Sequence, residues 1–71
     1  MSRICLLWAL PLVVLAHPAI ETQISDVSRA IVQAPDSPAL YLRRGLLHTQ
    51  HGDRELARQD FEAAQALTDS A

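Results

Sequence analysis

The strongest constraint on this chain is the placement of its helix breakers. In Ala34-Pro35-Asp36-Ser37-Pro38, two prolines flank a turn-forming pair. His51-Gly52-Asp53 interrupts the chain again, with Gly52 supplying the turn. Between and around these breaks lie stretches of helical length. In the first, Ile20, Ile24, Val27 and Ile31 are spaced four, three and four, a single apolar stripe at the 3.6-residue period. The second is predicted to run from Pro38 to Gln50. Proline at a first helical position has no amide to leave unpaired, and Ser37 before it is expected to cap the free amides. Asp53 is expected to cap a third helix from Arg54 to Thr68, whose stripe is Ala57, Phe61 and Ala64, flanked by Leu56 and Leu67. Short connections make successive helices antiparallel neighbours. The expected fold is all-α, with three helices.

Residues 1–16 read differently. Arg3 gives a short basic start, Ile4 to Leu15 is an uncharged and mostly apolar run, and Val14-Leu15-Ala16 forms a small-residue exit. Those are the parts of a cleaved secretory signal. As helix the run would be about 18 Å long against a hydrocarbon core of roughly 30 Å, and Pro11 interrupts it, so no stable membrane span is expected after cleavage. The expected compartment is periplasmic or extracellular. Cys5 precedes most of the apolar run and is no lipoprotein acceptor.

Cleavage after Ala16 would leave residues 17–71, a chain of 55 residues without Cys5 or Trp8 and with Tyr41 and Phe61 as its aromatics. A product without thiols suits an oxidising compartment. The full 71-residue chain carries a net charge of −2, which offers no basic footprint for nucleic acid. A single cysteine excludes an intrachain disulfide and a multi-cysteine zinc site. Ser25, Ser28, Ser37 and Ser70 have no nearby histidine with an orienting acid, and no glycine-rich phosphate loop exists. No enzyme is expected, and no cofactor.

The chain also repeats. At a shift of 34 residues Asp26 falls on Asp60, Ala30 on Ala64, Val27 on Phe61 and Ala34 on Thr68, while Gln23, Ile31 and Pro35 fall on unlike residues. Thirty-four is a period of helix–turn–helix repeats. Residues 38–69 resemble a tetratricopeptide repeat (TPR). Tyr41 and Phe61 stand at its large positions, Gly45, Ala57 and Ala64 at its small ones, and Gly52-Asp53 at its turn. Residues 17–37 hold a partial repeat, and Ala30 to Asp36 resembles its close. Arg44 departs from the pattern at a place usually held by Leu, as do His48, Arg54 and Asp69 elsewhere. The resemblance implies a TPR-like α-solenoid fragment in which close helix approach at Gly45, Ala57 and Ala64 is filled by Tyr41 and Phe61.

In this family the first helix of each repeat lines a groove. Carried onto this chain, that side holds Ala39, Leu42, Leu46, Thr49 and Arg43. Leu42 and Leu46 stand where some members clamp a terminal carboxylate with Lys and Asn, so an apolar or mixed peptide fits better. Arg43 and Arg44 diverge by about 100° on a helix. Arg43 is expected toward the ligand face and Arg44 toward an acid of a neighbouring helix. The implied role is an exported module that binds a peptide or partner protein, with further repeats or self-association covering its open faces. Two alternatives stay open: an N-terminal fragment of a longer repeat protein, and a small copper-binding protein. The latter would use His17 as the new amino terminus, with a second histidine, His48 or His51, completing the site. No metal is expected in the first case.

Overall fold

A computed structural model describes residues 19–70 of the chain. The leader and its boundary at Ala16–His17 lie outside the described residues. Helix α1 spans Ile20–Gln33, α2 spans Pro38–His51 and α3 spans Arg54–Asp69. The described residues form an all-α array with α2 in the middle, packed on α1 and on α3. Contacts between α1 and α2 run in opposite directions along the chain. Glu21 meets His51 while Ser28 meets Arg44 between α1 and α2. Arg44 meets Asp60 and Gly45 meets Phe61 between α2 and α3. The first pair is therefore antiparallel, and the two-residue Gly52–Asp53 connection turns α3 back along α2 in the same way.

The helix ends follow from the breakers, with corrections at two caps and two ends. Gly52 adopts the left-handed conformation at φ 90°, which only glycine takes without steric cost. Its N–H donates to the Thr49 carbonyl at 3.1 Å, and the Asp53 N–H donates to the His48 carbonyl at 2.8 Å. This paired closure is a Schellman motif, and it satisfies two carbonyls at the end of α2. The expected caps at Ser37 and Asp53 are absent: neither side chain bonds a first-turn amide. The Leu40 N–H that Ser37 would have bonded donates instead to the Ser37 carbonyl at 3.2 Å, and Pro38 has no N–H to offer. Asp53 is held at ψ 78° as part of the Schellman closure, and α3 starts from its carbonyl, which accepts from Ala57 at 3.0 Å. The two later helices each run one residue past the expected end, to His51 and Asp69.

The apolar stripe of α1 does what its spacing dictates. Val27 and Ile31 are buried against Leu47 of α2, and Ile20, Ile24, Leu40 and Tyr41 close around them. The Tyr41 hydroxyl donates to the Pro35 carbonyl at 3.2 Å, tying α2 back to the turn before it. On the other side of α2 the packing is closer. Gly45 is buried under the Phe61 ring, and Ala57 and Ala64 are both 3% exposed. A Cβ added to Gly45 would lie 2.5 Å from Phe61 Cε1, so any larger residue there requires the ring to move.

Candidate functional site

Helix α2 divides its side chains between neighbours and solvent. Ala39, Leu42, Leu46 and Thr49, spaced three, four and three, are all exposed on one side of the helix, and Arg43 beside them is exposed too. Leu46 is 58% exposed and Leu42 48%, whereas Leu47, one position on, is 7%. A rotation of about 100° per residue separates a core leucine from a solvent leucine. The Thr49 hydroxyl donates back to the Gly45 carbonyl at 2.9 Å, which fixes the last side chain of this row.

Thr49 also opens a second feature. A recess of about 310 Å³ lies between the end of α2 and the outer side of α3. Phe61 gives it apolar surface over the buried Ala57, and Arg54, Arg58, Glu62 and Gln65 form its polar wall. Of the groove residues expected from the sequence, Thr49 alone lines this recess, and Ala39, Leu42, Arg43 and Leu46 lie outside it. The four polar residues are absent from the sequence-derived groove. Three of them had a signal: Arg54, Arg58 and Gln65 recur with Phe61 at four, three and four along α3, which places them on one face with it.

The third feature is a polar cluster inside the helix array. Asp60 is 5% exposed. Arg44 donates to it twice, from Nε to Oδ2 and from Nη2 to Oδ1, both at 2.8 Å. This two-pronged geometry is the strong form of an arginine–carboxylate contact. The remaining guanidinium nitrogen donates to Ser28 Oγ of α1 at 3.0 Å, and the Tyr41 ring centroid lies 5.8 Å from the guanidinium carbon. The Asp60 hydrogen bonds hold the Arg44 guanidinium above its ordinary pKa, against the opposing effect of its partial burial. Both carboxylate oxygens of Asp60 are occupied, so the cluster is an internal clamp. Arg44 thus takes the direction expected of it, toward an acid of a neighbouring helix, the buried Asp60. The repeat-related Asp26 has a different fate, forming an exposed pair with Arg29.

The histidines separate. His48 Nε2 lies 3.6 Å from Asp60 Oδ2 of α3, and its Nδ1 is buried without a hydrogen-bond partner. His51 points the other way, its Nε2 3.8 Å from Glu21 of α1. His17 lies outside the described residues. Among the described residues no group of three or more His, Cys, Asp or Glu side chains is placed to hold a metal ion. No described helix is long and apolar enough to cross a membrane.

On the outer side of α3, Arg58 bridges Glu55 and Glu62. The hydrogen bond from Arg58, followed by that from Gln59, holds Glu55 below the ordinary glutamate range, and the bonds to Glu55 and Glu62 raise Arg58. Arg54 has no such partner: no carboxylate among the described residues pairs with it.

No protein-family model, curated protein or solved structure matches this chain.

Proposed function

We propose that the chain is an exported, TPR-like module that binds a peptide or partner protein along α2. The observation that carries this is the division of leucines on one helix. Leu47 completes the core with Val27 and Ile31, yet Leu42 and Leu46, one turn apart on the side away from that core, remain about half exposed. An exposed apolar pair on a helix held at both flanks is pre-organised for contact, because its side chains need no further backbone ordering. The close approach at Gly45, Ala57 and Ala64 and the left-handed Gly52 support the TPR-like reading. The short basic start, apolar run and Val14-Leu15-Ala16 exit support export, with cleavage before His17.

The test is selection of a random peptide library on the full chain, followed by affinity measurement on a Leu42→Ser/Leu46→Ser variant. Selected peptides should lose at least about tenfold in affinity on the variant while its helical circular dichroism is retained, since each leucine buries one large apolar side chain at the contact. Peptides that bind both proteins equally would overturn the assignment of α2. Amino-terminal sequencing of the exported protein tests the leader separately: a product that retains Met1 excludes cleavage.

A further inference from the structure

The recess beside Thr49 combines an apolar surface with one uncompensated charge. Arg58 is neutralised from both sides by Glu55 and Glu62. Arg54, at the other end of the same wall, is exposed and has no carboxylate partner among the described residues. Its position beside Phe61 means that an incoming group would meet apolar surface and positive charge together.

Size narrows the occupant. Small-molecule and cofactor sites span about 300–1,000 Å³. At about 310 Å³ and open to solvent, this recess admits one large side chain and does not enclose a cofactor. Its wall runs along α3 from Arg54 to Gln65, roughly 16 Å at 1.5 Å per residue. A partner chain can therefore lie along it and continue past both ends, which favours an internal segment over a chain terminus.

We propose that this recess docks an internal segment of a partner peptide, one aromatic or large aliphatic side chain resting on Phe61 while a neighbouring Glu or Asp side chain pairs with Arg54. Arginine suits this role because its planar fork can meet a carboxylate with two parallel hydrogen bonds. In an extended segment, residues two apart project to the same side about 6.6 Å from each other, close enough for one to reach the ring and the other the guanidinium. The proposal rests on the reading of the chain as a peptide binder. Its test does not involve Leu42 or Leu46, so the two can fail separately.

The experiment titrates the full chain, followed by amide and side-chain NMR, with three capped peptides: Ac-Glu-Gly-Phe-Gly-NH2, its Gln-for-Glu counterpart, and Ac-Glu-Gly-Gly-Gly-NH2. Capping removes terminal charges, so the glutamate is the one carboxylate present. The first peptide should bind in the millimolar range and shift Thr49, Ala57, Phe61 and Gln65. The Gln counterpart should bind at least about fivefold more weakly, as expected on loss of a charge-assisted pair, and the peptide without Phe should not shift Phe61. Arg54→Gln should abolish the preference for Glu over Gln. Arg29→Gln, on the far helix, should preserve it. Because Arg54 is exposed, an unchanged spectrum away from the recess verifies that its variant folds. Equal binding of the Glu and Gln peptides, or no binding up to about 10 mM, overturns the proposal. So do shifts confined to Leu42 and Leu46, and so does a concentration-dependent dimer that buries Phe61 without peptide.

Discussion

Replacing Gly45 by alanine sets two well-defined effects against each other. Alanine in a helix interior is favoured over glycine by about 1 kcal/mol, from backbone entropy alone. Against this, the new methyl carbon would lie 2.5, 2.8 and 3.0 Å from Cε1, Cδ1 and Cζ of the Phe61 ring. Carbon atoms in contact sit at about 3.5–4.0 Å, so ring or helix must yield by about an ångström. Overpacking of this kind costs about 1–3 kcal/mol. The expected net result is a loss of about 0–2 kcal/mol, at the lower end if the ring swings outward into the open recess beside it. A double-mutant cycle sharpens the sign. Phe61→Leu removes the ring, and in that background Gly45→Ala should recover part or all of its intrinsic gain, giving a coupling of at least about 1 kcal/mol. Urea unfolding followed by helical circular dichroism reads all four proteins. If Gly45→Ala raises the midpoint of the parent chain by the full helix-propensity gain, the ring does not pack on Gly45, and the close α2–α3 approach is refuted.

Three further expectations use the same measurement. Arg44→Ala should cost about 3 kcal/mol, because it removes both hydrogen bonds from the buried Asp60 carboxylate and leaves only His48 Nε2 at 3.6 Å beside it. Asp60→Ala should cost less, about 1–2 kcal/mol, since Arg44 is 24% exposed and can reach water, and an equal or reversed order would contradict the burial of Asp60. Gly52→Ala should cost about 1–2 kcal/mol from the left-handed backbone alone, as nothing lies within 4 Å of the added carbon, with Gly52→Asn milder; a neutral Gly52→Ala would exclude that conformation. Glu55 is held below its ordinary range, so its bond to Arg58 stabilises the fold above that range and the benefit disappears as pH falls through the lowered value. Both groups are solvent-exposed, so Arg58→Ala should leave the midpoint unchanged in about 0.5 M salt, and a persistent loss there would require a buried role for Arg58.

The helices were legible because their signals are local. Proline at the start of α2, glycine after its end and the four–three–four stripe of α1 each act within a few residues. The caps at Ser37 and Asp53 were misread because backbone groups compete for the same positions: the Ser37 carbonyl takes the Leu40 amide, and the Schellman closure fixes Asp53. The apolar contact of Gly45 with Phe61 was visible as a small residue two turns before a helix break and a large one two turns after it. Asp60 was not, since an acid beside Phe61 reads as a solvated surface until Arg44 is seen to point inward. Its one sequence trace was the arginine at a place expected to hold leucine. The recess was missed for a related reason. Its lining comes from the end of one helix and the side of the next, and no single period contains Thr49 together with Arg54 and Phe61.

The shared guanidinium of Arg44 has a consequence for the order in which the helices come apart. It donates to Ser28 of α1 with one nitrogen and to Asp60 of α3 with the other two. Detaching α1 uncovers Val27, Ile31 and Leu47 and breaks one bond to a neutral hydroxyl, but it leaves the charged pair intact between α2 and α3, which also share the larger contact. Detaching α3 separates the charges and uncovers Gly45, Ala57 and Ala64 together. The charged pair and the larger contact therefore make the α2–α3 hairpin the last unit to yield. In native-state hydrogen exchange, amides in the middle of α1 should exchange through a cheaper opening than those flanking Gly45 and Ala57, so a chain that unfolds on average once still comes loose one helix at a time.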